Sequence, residues 1–190
     1  MKAKRFILPL VAVLGVSLFS TNTTFAEENA AQNTEVKEIT KPSVKEYDGN
    51  GNLIKVYSQE EIEKLFVNGT VQAENKMEAS GKVSAQAKTV YKSTPTTIKD
   101  NIYVKSGARF PDPGYVLLDP IGKVDHVVVR AYNSSGAKVR TTVLENFYGS
   151  VSIPYTDLKR GQSYKFNLAR GSKSKAYIYL DFIQVGYYYN

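Results

Sequence analysis

Three oxygen-bearing side chains alternate with glycines in the sequence YDGNGN. Asp48, Asn50 and Asn52 supply the carboxylate and amide oxygens that calcium loops use. A calcium loop that starts at Asp48 would need a glycine at its sixth position and a glutamate at its last, but the chain has Leu53 and Gln59 there. We therefore interpret the stretch as a turn and predict no metal site.

The chain has one histidine, His126, and no cysteine. Thiol catalysis and thiolate metal sites are therefore excluded, and a zinc site with the usual ligands is not expected. His126 lies in the strand-like sequence VDHVVVR, where its neighbour Asp125 would point to the opposite face of a sheet. We interpret His126 as a packing or surface residue and predict no cofactor.

Paired carboxylates could still hydrolyse a glycosidic bond, because such enzymes need two acids at a set separation. The C-terminal part of the chain holds seven acids, most of them in turn-like sequence: Asp100, Asp112, Asp119, Asp125, Glu145, Asp157 and Asp181. Their spacing singles out no pair, and we predict no catalytic residue. A carboxylate-dependent carbohydrate-active enzyme stays open as a third hypothesis.

Basic and aromatic residues are interleaved near the C-terminus, in ARGSKSKAYIYLDF. If Ile178 and Leu180 face a core, the alternation of a strand places the intervening tyrosines on the surface, beside lysines. Tyrosines beside lysines suit stacking on sugar rings and contact with an anionic polymer. The candidate ligand-binding residues are Lys173, Lys175, Tyr177 and Tyr179.

Charge and aromatic content divide the chain near residue 88. Residues 27–87 hold seven Lys against eleven Asp and Glu, whereas residues 88–190 hold fifteen Lys and Arg against seven acids and contain twelve of the fourteen tyrosines. We expect an acidic, partly disordered arm and linker over residues 27–87, followed by a basic, tyrosine-rich domain over residues 88–190. The arm could be a spacer or a charge-complementary shield.

The N-terminus has the pattern of an export signal. Cations at positions 2, 4 and 5 precede an apolar run of about fourteen residues, and Thr24 and Ala26 offer small side chains for cleavage. We predict a signal peptide over residues 1–26, no transmembrane segment after its removal, and a secreted or extracellular protein with possible association with the cell wall. Export without cysteine suits a Gram-positive bacterium.

Local patterns predict one short helix in the arm. Ser58 and Glu61 have the spacing of a capping box, Ile62, Leu65 and Phe66 share a face, and we predict a helix over residues 59–67. After residue 88 the chain reads as strands that recur about every ten residues. These runs are 89–91, 101–105, 115–118, 124–132, 138–144, 147–153, 163–169, 175–182 and 183–189.

The stretch DLKRGQSYKFNLARG narrows the set of folds that the strand pattern predicts. Leu158, Gly161 and Tyr164 have L-x-x-G-x-x-Y spacing before an alternating strand, and this resembles the tyrosine corner of fibronectin type III and immunoglobulin-like domains. The resemblance implies an antiparallel Greek-key β-sandwich with Tyr164 as a structural residue. About twenty residues follow the corner strand, so a jelly roll or another sandwich of eight to nine strands stays open.

Export, a basic tyrosine-rich domain and the lack of catalytic signatures favour a secreted, non-catalytic protein that binds at the cell envelope or in the extracellular matrix. The expected partner is an anionic wall polymer or polysaccharide, and nucleic acid is not expected. The alternative is a secreted effector, either an inhibitor or a small toxin, that acts on proteins or membranes. The sequence leaves the oligomeric state open.

Overall fold

The computed structural model describes residues 41–66, 87–174 and 176–189. The predicted signal peptide, the first part of the arm, the linker after Phe66 and the candidate residue Lys175 lie outside the described residues. All described residues belong to one compact unit.

Nearly all the regular elements of the described chain are strands. Its elements, in chain order, are β1 (Ser43–Asp48), β2 (Leu53–Val56), α1 (Gln59–Leu65), β3 (Ala87–Lys92), β4 (Thr96–Ile98), β5 (Asn101–Tyr103), a 3₁₀ segment (Val104–Gly107), β6 (Phe110–Pro111), β7 (Pro113–Pro120), β8 (Val124–Tyr132), β9 (Lys138–Phe147), β10 (Val151–Pro154), β11 (Ser163–Arg170) and β12 (Ile178–Tyr189).

Two antiparallel sheets enclose one core, which confirms the predicted β-sandwich. The larger sheet has the order β2-β1-β9-β8-β11-β5, with β6 also paired to β11, and the smaller has the order β10-β7-β12-β3, with β4 also paired to β12. Alternate residues of facing strands, such as Val127 and Leu168 on one sheet and Val116 and Val185 on the other, are fully buried between them.

The strand order is that of a jelly roll. The pairs β3–β12, β5–β11, β7–β10 and β8–β9 are all antiparallel, and successive pairs alternate between the two sheets. The chain is therefore one long double-stranded ribbon, with the β8–β9 hairpin at its tip, wound into a sandwich of two Greek keys. The sequence left a jelly roll open beside an immunoglobulin-like sandwich, and the strands adopt the jelly roll.

The tyrosine corner is present, but the resemblance to fibronectin type III domains ends there. The Tyr164 hydroxyl donates to the carbonyl oxygen of Lys159 at 2.9 Å, Gly161 has a positive φ of 72°, and Leu158 packs against the core. In immunoglobulin-like domains the strand after the corner strand pairs within the same sheet. Here β12, which follows β11, lies in the opposite sheet.

Residues 43–66 of the compositional arm are part of the sandwich. The Asp48 carboxylate accepts hydrogen bonds from the backbone N–H groups of Asn50 and Asn52, so the suspected calcium loop is the turn of the β1–β2 hairpin. β1 pairs with β9 along its whole length. The structure therefore continues the sheet well before residue 88, where the composition changes.

The predicted helix and strands differ from the observed ones mainly at their ends. The capping box of Ser58 and Glu61 is present and starts α1, which ends at Leu65; Val67 lies outside the described residues. The predicted strand 147–153 is interrupted by a turn that contains Gly149 at φ 76°. The two predicted C-terminal strands form the single strand β12, whose pairing with β7 has register shifts after Leu180 and after Gly186.

A buried guanidinium joins the arm to the sandwich. Arg140, on β9, donates to both carboxylate oxygens of Asp157, and one of its nitrogens lies 3.7 Å from Glu46 on β1. Glu46 also accepts a hydrogen bond of 2.8 Å from the hydroxyl of Tyr57. Burial, reinforced by the Glu46 carboxylate, raises the pKa of Tyr57.

We expect Arg140→Met to lower the free energy of unfolding by about 3 kcal/mol, because Glu46 would then be a buried, unpaired carboxylate. Glu46→Gln combined with Arg140→Met should cost less than the sum of the single changes. Urea denaturation measures both effects, with the exposed Lys99→Met as a control. Additive costs would show that the two side chains do not interact.

Candidate functional site

The predicted tyrosines are exposed as their alternation requires. Tyr177 and Tyr179 are each about half exposed, at 50% and 51%, whereas Ile178 and Leu180 are buried in the core. The guanidinium carbon of Arg170 lies 5.8 Å from the centroid of the Tyr177 ring, a cation–π distance. Tyr179 lies on β12, in the smaller sheet.

Lys173 belongs to a different surface. Its ammonium group lies 2.6 Å from the Glu145 carboxylate on β9, in the larger sheet, and Glu145 also accepts a hydrogen bond from Ser43 on β1. Hydrogen bonding to Lys173 is the main reason that the pKa of Glu145 is lowered. The described members of the predicted cluster are therefore divided between the two sheets.

The outer face of the larger sheet carries three rows of side chains that cross the strands. Core residues such as Val127, Val129, Leu144 and Leu168 fix which positions point inward, so the positions between them point outward. The upper row contains Tyr47, Thr141, Arg130, Asn167 and Tyr103; the middle row Lys45, Val143, Val128, Ala169 and Asn101; the lower row Ser43, Glu145 and His126.

The upper row has a polar centre between two tyrosines. Arg130 donates to the Asn167 side-chain oxygen at 3.1 Å. The Asn167 amide nitrogen donates in turn to the Asn101 side chain at 3.2 Å and to the Ile102 carbonyl at 3.0 Å. Asn167 is only 3% exposed, so this network fixes the guanidinium from below while its other N–H groups point away from Asn167.

Short side chains occupy the centre of the middle row. Val143, Val128 and Ala169 lie between the longer side chains of the upper and lower rows, and Val128 and Ala169 are only 8% and 6% exposed although they point outward. Neighbouring rows are about 7 Å apart, since they differ by two residues along each strand. The three residues form a line of short side chains that crosses three adjacent strands between two rows of longer ones; we call this line, with the rows beside it, the trough and the three residues its floor.

A cation lies between two aromatic rings beside the trough. The ammonium group of Lys165 lies 5.2 Å from the centroid of Tyr103 and 5.6 Å from that of Tyr132, and the two ring centroids are 6.3 Å apart. These contacts hold the positive charge at the surface next to exposed ring area. Such a pairing of charge and ring faces can bind an anionic, ring-containing ligand.

The trough is positively charged. Its rows and margin contain Lys45, Arg130, Lys165 and Lys173, against one acid, Glu145, which is paired with Lys173. Among these five side chains the excess is three positive charges. A surface with this excess attracts polyanions over a distance set by ionic strength, about 10 Å at 0.1 M salt.

His126 packs against the end of β11. It is 8% exposed, its Nδ1 accepts a hydrogen bond of 3.3 Å from the Lys173 backbone, and a side chain at Gly171 would overlap its ring. Burial, followed by nearby Lys173, lowers the pKa of His126, although Glu145 acts in the opposite direction. These contacts are those of a packing residue, as the sequence suggested.

Most acids of the C-terminal part hold elements of the sandwich together. Asp100 lies 3.7 Å from Arg170, Asp157 pairs with Arg140, and Asp112 accepts a hydrogen bond from the Gly161 backbone at 2.7 Å. Among the described residues, no group of three or more His, Asp and Glu side chains could hold a metal ion.

Sequence reasoning missed Arg130, Asn167, Tyr103 and Tyr47. They are far apart in the chain, and only the register of five strands brings them into one row. The local signal was the alternation in VVVRAY and YKFNLAR, which shows that polar residues share a sheet face but does not show which residues are neighbours across strands.

Comparison of the chain with protein-family models, curated proteins and solved structures returned no significant match. Within the described ranges, no helix combines the length and the apolar character needed to cross a membrane.

We expect Gly171→Ala to lower the free energy of unfolding by about 1–3 kcal/mol, because the new methyl group would overlap the His126 imidazole. In a His126→Ala background the same change should cost much less. Thermal or urea denaturation of the four proteins of this cycle checks the interaction. An equal cost in both backgrounds would assign the effect to the backbone of Gly171.

We expect stability to fall as the pH is lowered from 7.5 to 5.5. The pKa of His126 is about 6.5 in an unfolded chain and lower in the fold, so the unfolded state binds the proton more strongly. The stabilisation that neutral His126 contributes is complete above pH 6.5, and it is lost as the pH falls through the pKa of His126 in the folded protein. Unfolding free energies should show this slope, and His126→Asn should flatten it.

Proposed function

We propose that the chain is a secreted, non-catalytic protein that binds an anionic wall polymer or polysaccharide at the cell envelope or in the extracellular matrix. The observation that carries this proposal is the trough. It combines an apolar floor, a fixed guanidinium, flanking tyrosines and an excess of positive charge on one continuous sheet face. The envelope of a Gram-positive bacterium, which an exported chain without cysteine suits, offers such polymers.

The physical chemistry of the face matches that ligand class. Ring faces and the short apolar floor suit the apolar faces of sugar units, while Arg130 and Lys165 suit phosphate or carboxylate groups. Jelly rolls also support lectin domains. Fold alone does not decide function, so the proposal rests on the residues of the trough and not on the topology.

The position of the arm also favours binding over shielding. β1 contributes Ser43, Lys45 and Tyr47 to the three rows, so this part of the arm forms the surface and does not cover it. A cleavable shield would be expected to lie over the basic face. The alternative of a toxin guarded by its acidic arm therefore gains no support from residues 43–66.

The direct test is retention of the protein, without residues 1–26, on purified cell walls. Walls are used intact or stripped of anionic polymer, at about 0.05 M and 0.5 M salt. We expect retention on intact walls at low salt, and loss of retention with the polymer or at high salt, because the attraction is electrostatic. Retention that is unchanged in high salt would overturn the proposal.

Variants connect this binding to the trough. Arg130→Gln should weaken binding about tenfold, since it removes a charged hydrogen-bond donor from the centre of the upper row. The matched control is Lys159→Gln, which removes an exposed cation from the β10–β11 connection, outside the rows. Equal effects of the two changes would mean that net charge, and not the trough, determines retention.

A further inference from the structure

The rows give the trough a direction, and this leads to an inference that rests on the proposed function. We infer that the trough binds an extended linear chain whose axis crosses the strands, with contacts from Tyr47 on β1 to Tyr103 on β5. The ligand class is a linear polyanion of hydroxylated units, with its charges carried by phosphodiester or carboxylate groups.

The registers set the length of this site. Tyr47 pairs with Thr141, Thr141 with Arg130, Arg130 with Asn167, and Asn167 with Tyr103. Four strand spacings of about 4.8 Å separate the two tyrosines, so the row spans about 19 Å. A single sugar or phosphate cannot reach both ends, whereas an extended oligomer can.

Charge is concentrated at the middle of the row. Arg130 is the central member, about 10 Å from either tyrosine by the same spacing. Its hydrogen bond to Asn167 fixes the direction of the guanidinium, so Asn167 is a positioning residue. An anionic group bound at Arg130 would place the flanking units of the same chain beside Thr141 and Tyr47 on one side and beside Tyr103 on the other.

The floor favours the crossing direction over the strand direction. Val143, Val128 and Ala169 are neighbours on three adjacent strands, so the row of short side chains continues from strand to strand. Along β8 the sequence of outward residues is Tyr132, Arg130, Val128 and His126, in which long side chains interrupt the floor. A chain that followed β8 would have to pass over both Arg130 and His126.

Each end of the row offers a different contact. Tyr103 is 43% exposed and shares the Lys165 ammonium group with Tyr132, so this end combines a ring face with a positive charge. Tyr47 stands next to Lys45 in the hairpin that the arm contributes. Both ends therefore offer an aromatic ring and a cation, separated by the Arg130 centre, which suits a chain with repeating anionic groups.

The test measures affinity against oligomer length by calorimetry, with one series of poly(glycerol phosphate) oligomers and one series of oligouronates. Affinity should rise with extended length up to about 19 Å and then level off. Tyr47→Ala and Tyr103→Ala should weaken binding of the longer oligomers about three- to tenfold and leave the shortest ones unchanged. Tighter binding of one series identifies phosphate or carboxylate as the bound anion.

Control variants separate the possible outcomes. Tyr148→Ala removes a 74% exposed tyrosine outside the rows and should change nothing. Thermal melting of each variant confirms that it folds. If long oligomers lose affinity with Tyr132→Ala and not with Tyr47→Ala, the chain follows the strands and the inference is overturned, although the proposed function stands. Absence of binding to either polymer at any length would overturn the proposed function itself.

Discussion

The guanidinium of Arg140 is buried where three parts of the chain meet. It contacts Asp157 after β10 and Glu46 on β1, and it projects from β9 between them. Burying a charge is costly unless it is paired, so the buried Glu46 carboxylate depends on Arg140 for its partner charge, and this pair ties β1 to β9. The position of β1 in turn completes the outer face, because Tyr47 and Lys45 point to the side opposite Glu46. One buried ion network thus connects the stability of the sandwich to the shape of its binding surface.

The jelly roll explains how a continuous face arises from separated sequences. Winding a ribbon of paired strands places β9, β8, β11 and β5 side by side, and β1 adds beside β9, although the five strands come from residues 43 to 170. Outward positions of such a sheet need not contribute to the core, so they can hold polar residues at little cost to stability. Thr142 and Leu144 face inward, while their neighbours Thr141 and Val143 are available to the trough.

The sequence predicted the class of the fold well because that information is local. Alternation in YKFNLAR, the capping box at Ser58 and the corner at Tyr164 each depend on residues close in the chain. The site was predicted less well because it depends on register. Tyr177 and Tyr179 were correctly assigned to an exposed face, but nothing local shows that Arg130 pairs with Asn167. The change of composition near residue 88 also gave no sign of β1, since only two of its six residues, Val44 and Glu46, are buried.

The pairing of β1 with β9 has a consequence for the order of folding. Ser43 and Glu145 are 102 positions apart and share a hydrogen bond, so the strand made early in synthesis finds its partner only after most of the chain has emerged. Closing so long a loop is slow, whereas β8 and β9 can pair through a short hairpin. The ribbon tip is therefore the natural nucleus, and β1 adds to a sheet that already exists. The surface that holds the trough is therefore complete only once β1 has joined the sheet.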